Sequence, residues 1–124
     1  MNVVFMGTPE FARRILAHLC DSDRHSVLCV VTGPEKQFGR GRKLLRTACH
    51  EEALKRHLKV LLPTSLKDPA LKQELSDLQA DLFVVAAFRI LPPSLYKLPS
   101  KGSINIHASL LPAYRGAAPI NWAI

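Results

Sequence analysis

The chain has 124 residues, of which 48% are hydrophobic and 22% are charged, and this balance is typical of one globular domain rather than of a disordered or fibrous chain. No apolar run approaches the ~20 residues that a bilayer-spanning helix needs, so we expect no membrane partner and a cytoplasmic protein. The three cysteines are odd in number and form no C-x-x-C pair, which argues against a disulfide framework or a zinc ribbon.

The predicted elements alternate between continuous apolar runs, typical of buried strands, and amphipathic segments, typical of helices. In chain order they are a strand at 2–6 with no targeting segment before it, a helix at 9–20 with Thr8 as N-cap, a strand at 26–32, a helix at 47–57, a short strand at 59–63, a helix at 68–78 capped by Asp68, strands at 81–88 and 103–107, and the start of a helix at 117–124. This order predicts an open, doubly wound α/β fold with a Rossmann-like, mostly parallel sheet. In such sheets ligands bind beyond the carboxyl ends of the strands, near the switch in strand order.

Several local patterns weigh against other chemistries. "MGTPEF" has a single glycine and "GRGRKL" lacks the third, so a nicotinamide dinucleotide cofactor has little support. Gly7 and Thr8 then either form a tight strand-to-helix turn or line a substrate pocket. In "CHEEALKRH", His50 has Leu54 where a zinc-binding helix needs a second histidine, so we expect a solvated helix face and no metal.

The basic residues are concentrated in one stretch. Net charge is +7, and residues 33–46 hold five basic residues and one acid, so this stretch carries +4 of the total. It lacks apolar periodicity, contains Gly39 and Gly41, and offers Arg40, Arg42, Lys43 and Arg46 for contacts to an anionic partner such as a phosphate backbone. From these residues alone, a nucleic-acid-binding loop and a solvated surface loop remain equally supported.

Two polar residues interrupt the last predicted strand, "SINIH". Residues i and i+2 of a strand point to the same side, so Asn105 and His107 share a face with side-chain bases roughly 6.5 Å apart, while Ile104 and Ile106 point into packing. An asparagine amide can donate to a developing oxyanion, and a histidine can carry a proton near neutral pH. The pair predicts either a catalytic site at the carboxyl edge of the sheet or hydrogen bonds that fix the next loop.

Four segments together resemble one enzyme family. "NIHASLLPAYRGAAPI" closely resembles the signature of the folate-dependent formyltransferases, and in particular of those that act on initiator methionyl-tRNA. "VVFMGTPEFA", "VVTGPEKQFGRGRKL" and "LFVVAAFRILP" are similar to the family's first strand, basic loop and pterin-lining segment, although "FRI" departs from the "YG" common at that place. The resemblance covers almost the whole chain in matching order.

The resemblance implies roles for particular residues. The amine of methionyl-tRNA attacks the formyl carbon of 10-formyltetrahydrofolate, Asn105 donates to the oxyanion, and His107 stabilises it and moves a proton toward the leaving nitrogen. The remaining implied contacts are to the folate, from Ser109, Leu110, Leu111, Pro112, Phe88, Arg89, Ile90 and Leu91, and to the tRNA acceptor arm, from Arg40, Arg42 and Lys43. No metal is implied.

A third family residue, an aspartate that orients the histidine, lies downstream of the signature, and no acidic residue follows Asp81 here. We therefore expect residues 1–124 to be the N-terminal portion of a catalytic domain, without its remainder and without the family's C-terminal barrel domain. Such a portion should have little or no transferase activity alone, and the full-length enzyme should be monomeric. The alternatives are a formyltransferase for glycinamide ribonucleotide or a sugar nucleotide, a formyltetrahydrofolate-hydrolysing relative, and a non-catalytic folate- or RNA-binding module.

Overall fold

Eight strands and four helices occur in the part of the chain that the computed structural model describes, residues 1–39, 41, 43–107 and 120–122. The strands are β1 (Asn2–Gly7), β2 (Ser26–Val31), β3 (Lys36–Phe38), β4 (Lys43–Leu45), β5 (Val60–Leu61), β6 (Leu82–Ala86), β7 (Ser103–Ile106) and β8 (Ile120–Trp122). The helices are α1 (Glu10–Asp21), α2 (Ala48–Lys55), α3 (Pro69–Asp77) and α4 (Pro93–Tyr96). The five predicted strands and the first three predicted helices are all present, with ends displaced by three residues or fewer.

The main sheet has the strand order β5-β2-β1-β6-β7-β8. Its first five strands are parallel, and β8 pairs antiparallel with β7. From β1 the chain moves outward to β2 and β5 and then returns to β6 on the other side of β1, so the switch in strand order falls between β1 and β6. The predicted doubly wound, mostly parallel sheet is confirmed, and its ligand-binding crevice is expected beyond the carboxyl ends of these central strands.

Helices cover both faces of this sheet, which explains why its strands read as continuous apolar runs. On one face, α1 and α2 bury Leu16 and Ala53 against the strands. On the other, α3 and α4 bury Leu75 and Leu95. Each leucine is at most 1% exposed, and burial on this scale contributes about 1.5–3 kcal/mol per side chain. The two layers fix the direction in which the carboxyl edge of the sheet opens.

The turn after β1 depends on a close approach of three backbone segments. A Cβ atom on Gly7 would lie 2.7 Å from the carbonyl oxygen of Ala86 in β6 and 2.7 Å from the Cβ of Ala12 in α1. Glycine is therefore required at position 7 for packing, which agrees with the interpretation of Gly7 as part of a tight strand-to-helix turn. The predicted N-cap at Thr8 is wrong, because Pro9 is still extended (ψ 179°), α1 begins at Glu10, and no side chain among the described residues makes the cap hydrogen bond.

The helix predicted at 117–124 is wrong where the structure describes it. Residues 120–122 form β8, in register with β7 through the pairs Ile104↔Trp122 and Ile106↔Ile120. The proline before Ile120 suggested a helix start, but β7 offers a row of backbone hydrogen-bonding groups, and isoleucine and tryptophan favour strands. The rest of that predicted helix lies outside the described residues.

The basic stretch also has more regular structure than predicted. β3 and β4 form an antiparallel hairpin with the pairs Lys36↔Leu45, Gln37↔Leu44 and Phe38↔Lys43. The strands are three residues long each and their side chains do not alternate cleanly between apolar and polar, so the sequence pattern gave no signal for them. The interpretation as a loop without elements is therefore wrong for both arms of the hairpin.

Candidate functional site

A cavity of about 280 Å³ lies along β7 and opens at the carboxyl edge of the sheet. Its wall follows β7 from Ser103 to His107, continues through the segment between β6 and α4, and includes Tyr96 of α4. Most of the lining surface is apolar, and no carboxylate belongs to the lining residues that the structure describes. The volume is just below the roughly 300–1,000 Å³ typical of ligand sites, so the cavity suits a ring-sized part of a ligand.

The two polar residues of β7 reach this cavity as their spacing predicts. Ile104 and Ile106 pack against the core on the α1–α2 face, and Ile104 also borders the cavity that Asn105 and His107 line. Asn105 is half-buried and pairs in register with Val85 of β6, and His107 is exposed just past the strand. An amide donor and an imidazole therefore border one space at the edge where ligands bind in parallel sheets.

The segment 87–91, which we call the cavity loop, forms the opposite wall. Ala87 has a left-handed backbone (φ 51°), which turns the chain sharply after β6 and is strained for a residue with a Cβ atom. Phe88 packs against the core on the α3–α4 face and Leu91 is buried, while Ile90 is 94% exposed. The loop is thus anchored at two apolar positions and presents its remaining groups to the cavity and to solvent.

Arg89 connects the cavity loop to the segment that follows β5. Its Nη1 donates to the carbonyl oxygen of Thr64 at 3.1 Å and its Nη2 donates to that of Pro63 at 2.8 Å. The guanidinium carbon also lies 5.0 Å from the centre of the Phe88 ring, a cation–π geometry. The side chain of Arg89 is thereby directed to backbone oxygens of a neighbouring loop.

A second cavity, of about 530 Å³, lies on the other side of Arg89. It is lined by Thr8, Thr47, Thr64, Lys36 and Arg46, together with smaller and apolar residues. Thr8 therefore lines a cavity and does not cap α1, which favours the second of its two interpretations. The charge of Arg46 is partly offset, because it lies 3.4 Å from the carboxylate of Glu35 and 3.8 Å from that of Glu51.

The predicted site residues are brought together only in part. Asn105, His107, Phe88, Arg89, Ile90 and Leu91 all line the first cavity, and Lys43 is exposed on β4. Arg40, Arg42, Ser109, Leu110, Leu111 and Pro112 lie outside the described residues. Tyr96 and Ala87 are cavity residues that the sequence pattern did not identify, because a four-residue helix and a single left-handed residue leave no periodic signal.

The solvated face that was expected of α2 is present only in part, because Glu51 and His57 are exposed whereas His50 and Glu52 are buried. Glu52 is 4% exposed, and it accepts from Arg56 Nε at 2.5 Å and from Arg13 Nη1 at 3.0 Å. The hydrogen bond from Arg56 and then that from Arg13 hold the pKa of Glu52 below its ordinary value, against the opposing effect of burial. His50 is 6% exposed, with no partner for Nδ1 among the described residues, so the prediction of a solvated position is wrong for His50 as well as for Glu52.

The remaining candidate chemistries find no support in the described part of the chain. Burial raises the pKa of the thiols of Cys29 and Cys49 to about 12, so neither is an activated nucleophile. Across residues 1–39, 41, 43–107 and 120–122, no group of three or more histidine, cysteine, aspartate or glutamate side chains could hold a metal ion. Within the same ranges, every helix is too short or too polar to cross a bilayer.

Solved structures share this fold. A phosphoribosylglycinamide formyltransferase from Streptococcus pneumoniae TIGR4 superposes with a TM-score of 0.62 at 16% identity, over 99% of this chain and 73% of that one. The same enzyme from Anaplasma phagocytophilum gives a TM-score of 0.62 at 20% identity, over 94% of this chain and 54% of that one. At these identities the likeness establishes the architecture alone.

Sequence relatives are much closer. A methionyl-tRNA formyltransferase from Flavobacterium psychrophilum is 49% identical over 124 residues, and one from Caldanaerobacter subterraneus is 53% identical over 126 residues. Each match covers 100% of this chain but only 39% and 40% of the two relatives, so the chain spans about two fifths of their length. A family model described as formyl transferase matches residues 1–124. Since that match covers every residue, the chain belongs to the formyl transferase family.

Proposed function

We propose that the cavity beside β7 binds 10-formyltetrahydrofolate, and that the complete protein transfers the formyl group to the amino group of initiator methionyl-tRNA. The observation that carries this proposal is the position of Asn105 and His107 on one wall of an apolar cavity at the carboxyl edge of the sheet. The names of the relatives from Flavobacterium and Caldanaerobacter support the same acceptor. We also propose that the protein is cytoplasmic and monomeric.

The cavity suits the ring system of a reduced folate. Phe88, Leu91 and Ile104 give it apolar walls, while Asn105 and the backbone of the cavity loop offer hydrogen-bonding groups at its margin. Ligand sites commonly combine such apolar surface with a few polar groups that fix orientation. A volume of about 280 Å³ leaves the tail of the folate outside, along the open edge. The segment 109–112, outside the described residues, is proposed to complete this contact.

The bound folate supplies the formyl carbon that the methionyl amine attacks. Asn105 donates a hydrogen bond to the formyl oxygen as negative charge develops there, because its half-buried amide is held by the β6–β7 register. His107, two residues further on and nearer to solvent, moves a proton toward the nitrogen that leaves. Each role follows from the position of the side chain on the cavity wall.

The acceptor tRNA is proposed to approach over the β3–β4 hairpin. Lys43 is exposed on β4, Arg40 and Arg42 fall between β3 and β4 in the sequence, and the stretch 33–46 carries +4 of the net charge. Lysine and arginine side chains of this kind contact phosphates, and the binding they give weakens as salt rises. The second cavity, between this hairpin and the first cavity, provides the path from the hairpin to Asn105.

An assay with two acceptors and an acceptor-free control tests the proposal. The protein encoded by the complete reading frame, and the 124-residue chain in parallel, are incubated with 10-formyltetrahydrofolate and either initiator methionyl-tRNA, glycinamide ribonucleotide or no acceptor. We expect formyl-methionyl-tRNA as the product of the complete protein. Formylation of glycinamide ribonucleotide, or release of formate without acceptor, would replace the proposed acceptor by one of the alternatives. Calorimetry of the 124-residue chain with 5-formyltetrahydrofolate, a stable analogue, tests the cavity independently of transfer.

A further inference from the structure

Arg89, a residue of the cavity loop, contacts both Phe88 and the segment after β5. Two of its nitrogens donate to two consecutive carbonyl oxygens, those of Pro63 and Thr64, and its guanidinium lies over the ring of its own neighbour Phe88. We propose that Arg89 is a positioning residue, a clamp that holds the cavity loop in its ligand-binding conformation. The inference rests on the proposed function of the cavity, and it assigns the side chain a role other than direct contact with the folate.

The segment that receives these hydrogen bonds has few partners of its own. It follows β5, an edge strand of only two residues, and Pro63 has no N–H group to pair. Among the described residues, its local bonds are those from the N–H groups of Lys67 and Asp68 to Ser65. A planar guanidinium presents two parallel donors in fixed geometry, so it joins two such loops with little rotational freedom.

The cavity loop has two apolar anchors, Phe88 and Leu91, which lie on either side of Arg89. The rest of the loop needs the support of Arg89. Ala87 has a strained left-handed backbone, and Ile90 is 94% exposed and makes little packing contact. Phe88 and Leu91 pack into a core that Leu66 of the segment after β5 also contacts, and Arg89 adds the directional hydrogen bonds between the two segments. Removal of the clamp is therefore expected to let the loop populate conformations that do not form the cavity wall.

The expected effect falls on affinity. If the binding-competent fraction of the loop drops to about one tenth, the apparent Kd for a ligand of the cavity rises about tenfold. At saturating ligand the loop is ordered again, so kcat stays within about twofold. A residue that touched the reacting atoms would instead lower kcat, and a residue that served stability alone would change neither constant for the folded fraction.

The two substitutions Arg89→Met and Arg89→Lys separate positioning from charge. Methionine removes the donors and the charge. Lysine keeps the charge, which would still attract the carboxylates of a folate, but it cannot place two donors in a rigid fork. Arg14→Met is the matched control, since Arg14 is 75% exposed on α1 and its nearest carboxylate oxygen, on Glu10, is 3.8 Å away.

The experiment combines binding with backbone dynamics in the 124-residue chain. Calorimetry with 5-formyltetrahydrofolate should give a Kd about tenfold higher for both Arg89 variants and an unchanged Kd for Arg14→Met. Amide ¹⁵N relaxation without ligand should show order parameters in the cavity loop that fall from about 0.85 toward 0.6 in both Arg89 variants. In the complete protein, KM for 10-formyltetrahydrofolate should rise about tenfold with kcat within about twofold.

Each other outcome has one meaning. Unchanged loop order parameters in Arg89→Met overturn the clamp. A wild-type Kd in Arg89→Lys overturns it as well, because charge alone would then explain the effect. A wild-type chain that does not bind 5-formyltetrahydrofolate overturns the proposed function, and the order parameters, measured without ligand, still decide whether Arg89 holds the loop.

Discussion

The buried ion network of α2 and the cavity loop after β6 both depend on arginine side chains, but they use them differently. Between α1 and α2, both carboxylate oxygens of Glu52 accept from arginines, and Arg56 also donates to Asp21 at 2.9 Å. In the cavity loop, the hydrogen bonds of Arg89 to other described residues go to backbone oxygens, beside a strained Ala87 and a nearly fully exposed Ile90.

This difference separates stability from ligand binding. A buried carboxylate with two charged partners opposes local opening of the α1–α2 layer, because opening would break several strong hydrogen bonds at once. The cavity loop packs against the core through Phe88 and Leu91, while Ala87, Arg89 and Ile90 are exposed. Segments that bind ligands are commonly the least stable parts of a fold. Substitutions in the two regions should therefore affect different measurements.

The largest expected effect is on catalysis, from Asn105→Ala. Loss of a single oxyanion donor typically lowers kcat by ~10²–10³. Because Asn105 is half-buried at the cavity wall and belongs to neither core cluster, the free energy of unfolding should change by less than about 1 kcal/mol. Steady-state kinetics of the complete protein and urea unfolding measure the two quantities.

Asn2→Ala is the control for this prediction, since Asn2 is exposed at the amino end of β1, away from the cavity. It should leave kcat unchanged. Near-normal turnover in Asn105→Ala would remove that residue from the proposed mechanism. A large loss of stability would instead show that residues at the carboxyl edge of the sheet also contribute to the stability of the core.

The next largest effect is on stability, from Glu52→Ala. Removal of one partner from a buried ion pair typically costs about 3–5 kcal/mol. The side chains of Arg13 and Arg56 are 32% and 28% exposed, so water would partly solvate them and the loss should be about 2–3 kcal/mol. Urea unfolding of the 124-residue chain measures this difference, and folate affinity of the folded fraction should not change.

Glu51→Ala provides the matched control. Glu51 precedes Glu52 on α2, but it is 61% exposed and lies 3.8 Å from Arg46. Its removal should cost less than about 0.5 kcal/mol, as is usual for surface ion pairs. Equal losses in the two variants would mean that the buried network contributes no more than the surface pair does.

A smaller, pH-dependent effect follows from the same carboxylate. Hydrogen bonds from Arg56 and Arg13 lower the pKa of Glu52 in the folded chain below the ordinary value of 4.5, whereas the unfolded chain keeps that value. Its contribution to stability is therefore fully present above pH 4.5 and is lost as pH falls through the folded pKa. The stability gap between wild type and Glu52→Gln should be constant near pH 7 and shrink below about pH 4.5.

Urea midpoints between pH 3 and pH 7 measure that gap, and subtraction removes the other titrating groups common to both chains. The groups that face Glu52 are Arg13 on α1, Arg56 after α2 and, more weakly, Lys55. The two arginines have pKa values raised by their carboxylate partners, so they add no transition of their own in this range. A gap that stays constant down to pH 3 would contradict the assignment.

The sequence predicted the main sheet well because its signals are local and strong. Continuous apolar runs identified the five parallel strands, and Asp68 with the proline after it marked the start of α3, where Asp68 accepts from the Ala70 N–H at 2.9 Å. Period-two geometry alone placed Asn105 and His107 on one face. These features depend on neighbours within a few residues.

The misses depend on contacts between distant segments. The burial of Glu52 also requires Arg13 from α1, which no pattern within "CHEEALKRH" reveals, although Arg56 belongs to that stretch. The strand β8 forms because β7 lies at a sheet edge, and the link from Arg89 to Pro63 and Thr64 spans about 25 residues of chain. The family resemblance named cavity residues but could not indicate how the side chain of Arg89 is used.

The smallest expected effect tests the strain in the cavity loop, through Ala87→Gly. An alanine in the left-handed region is disfavoured by roughly 1–2 kcal/mol, and a glycine there adds roughly 0.5–1 kcal/mol of unfolded-chain entropy, so the net stabilisation should be about 0.5 kcal/mol. Gln79→Gly is the control, since Gln79 has the same left-handed backbone (φ 51°) after α3 and away from the cavity. Both variants should gain stability in urea unfolding, but only Ala87→Gly should weaken binding of 5-formyltetrahydrofolate, because glycine loosens the wall that the ligand contacts. If both variants bind the analogue with wild-type affinity, the backbone of Ala87 serves the turn after β6 and not the ligand, and the contrast between the two regions then rests on Arg89 alone.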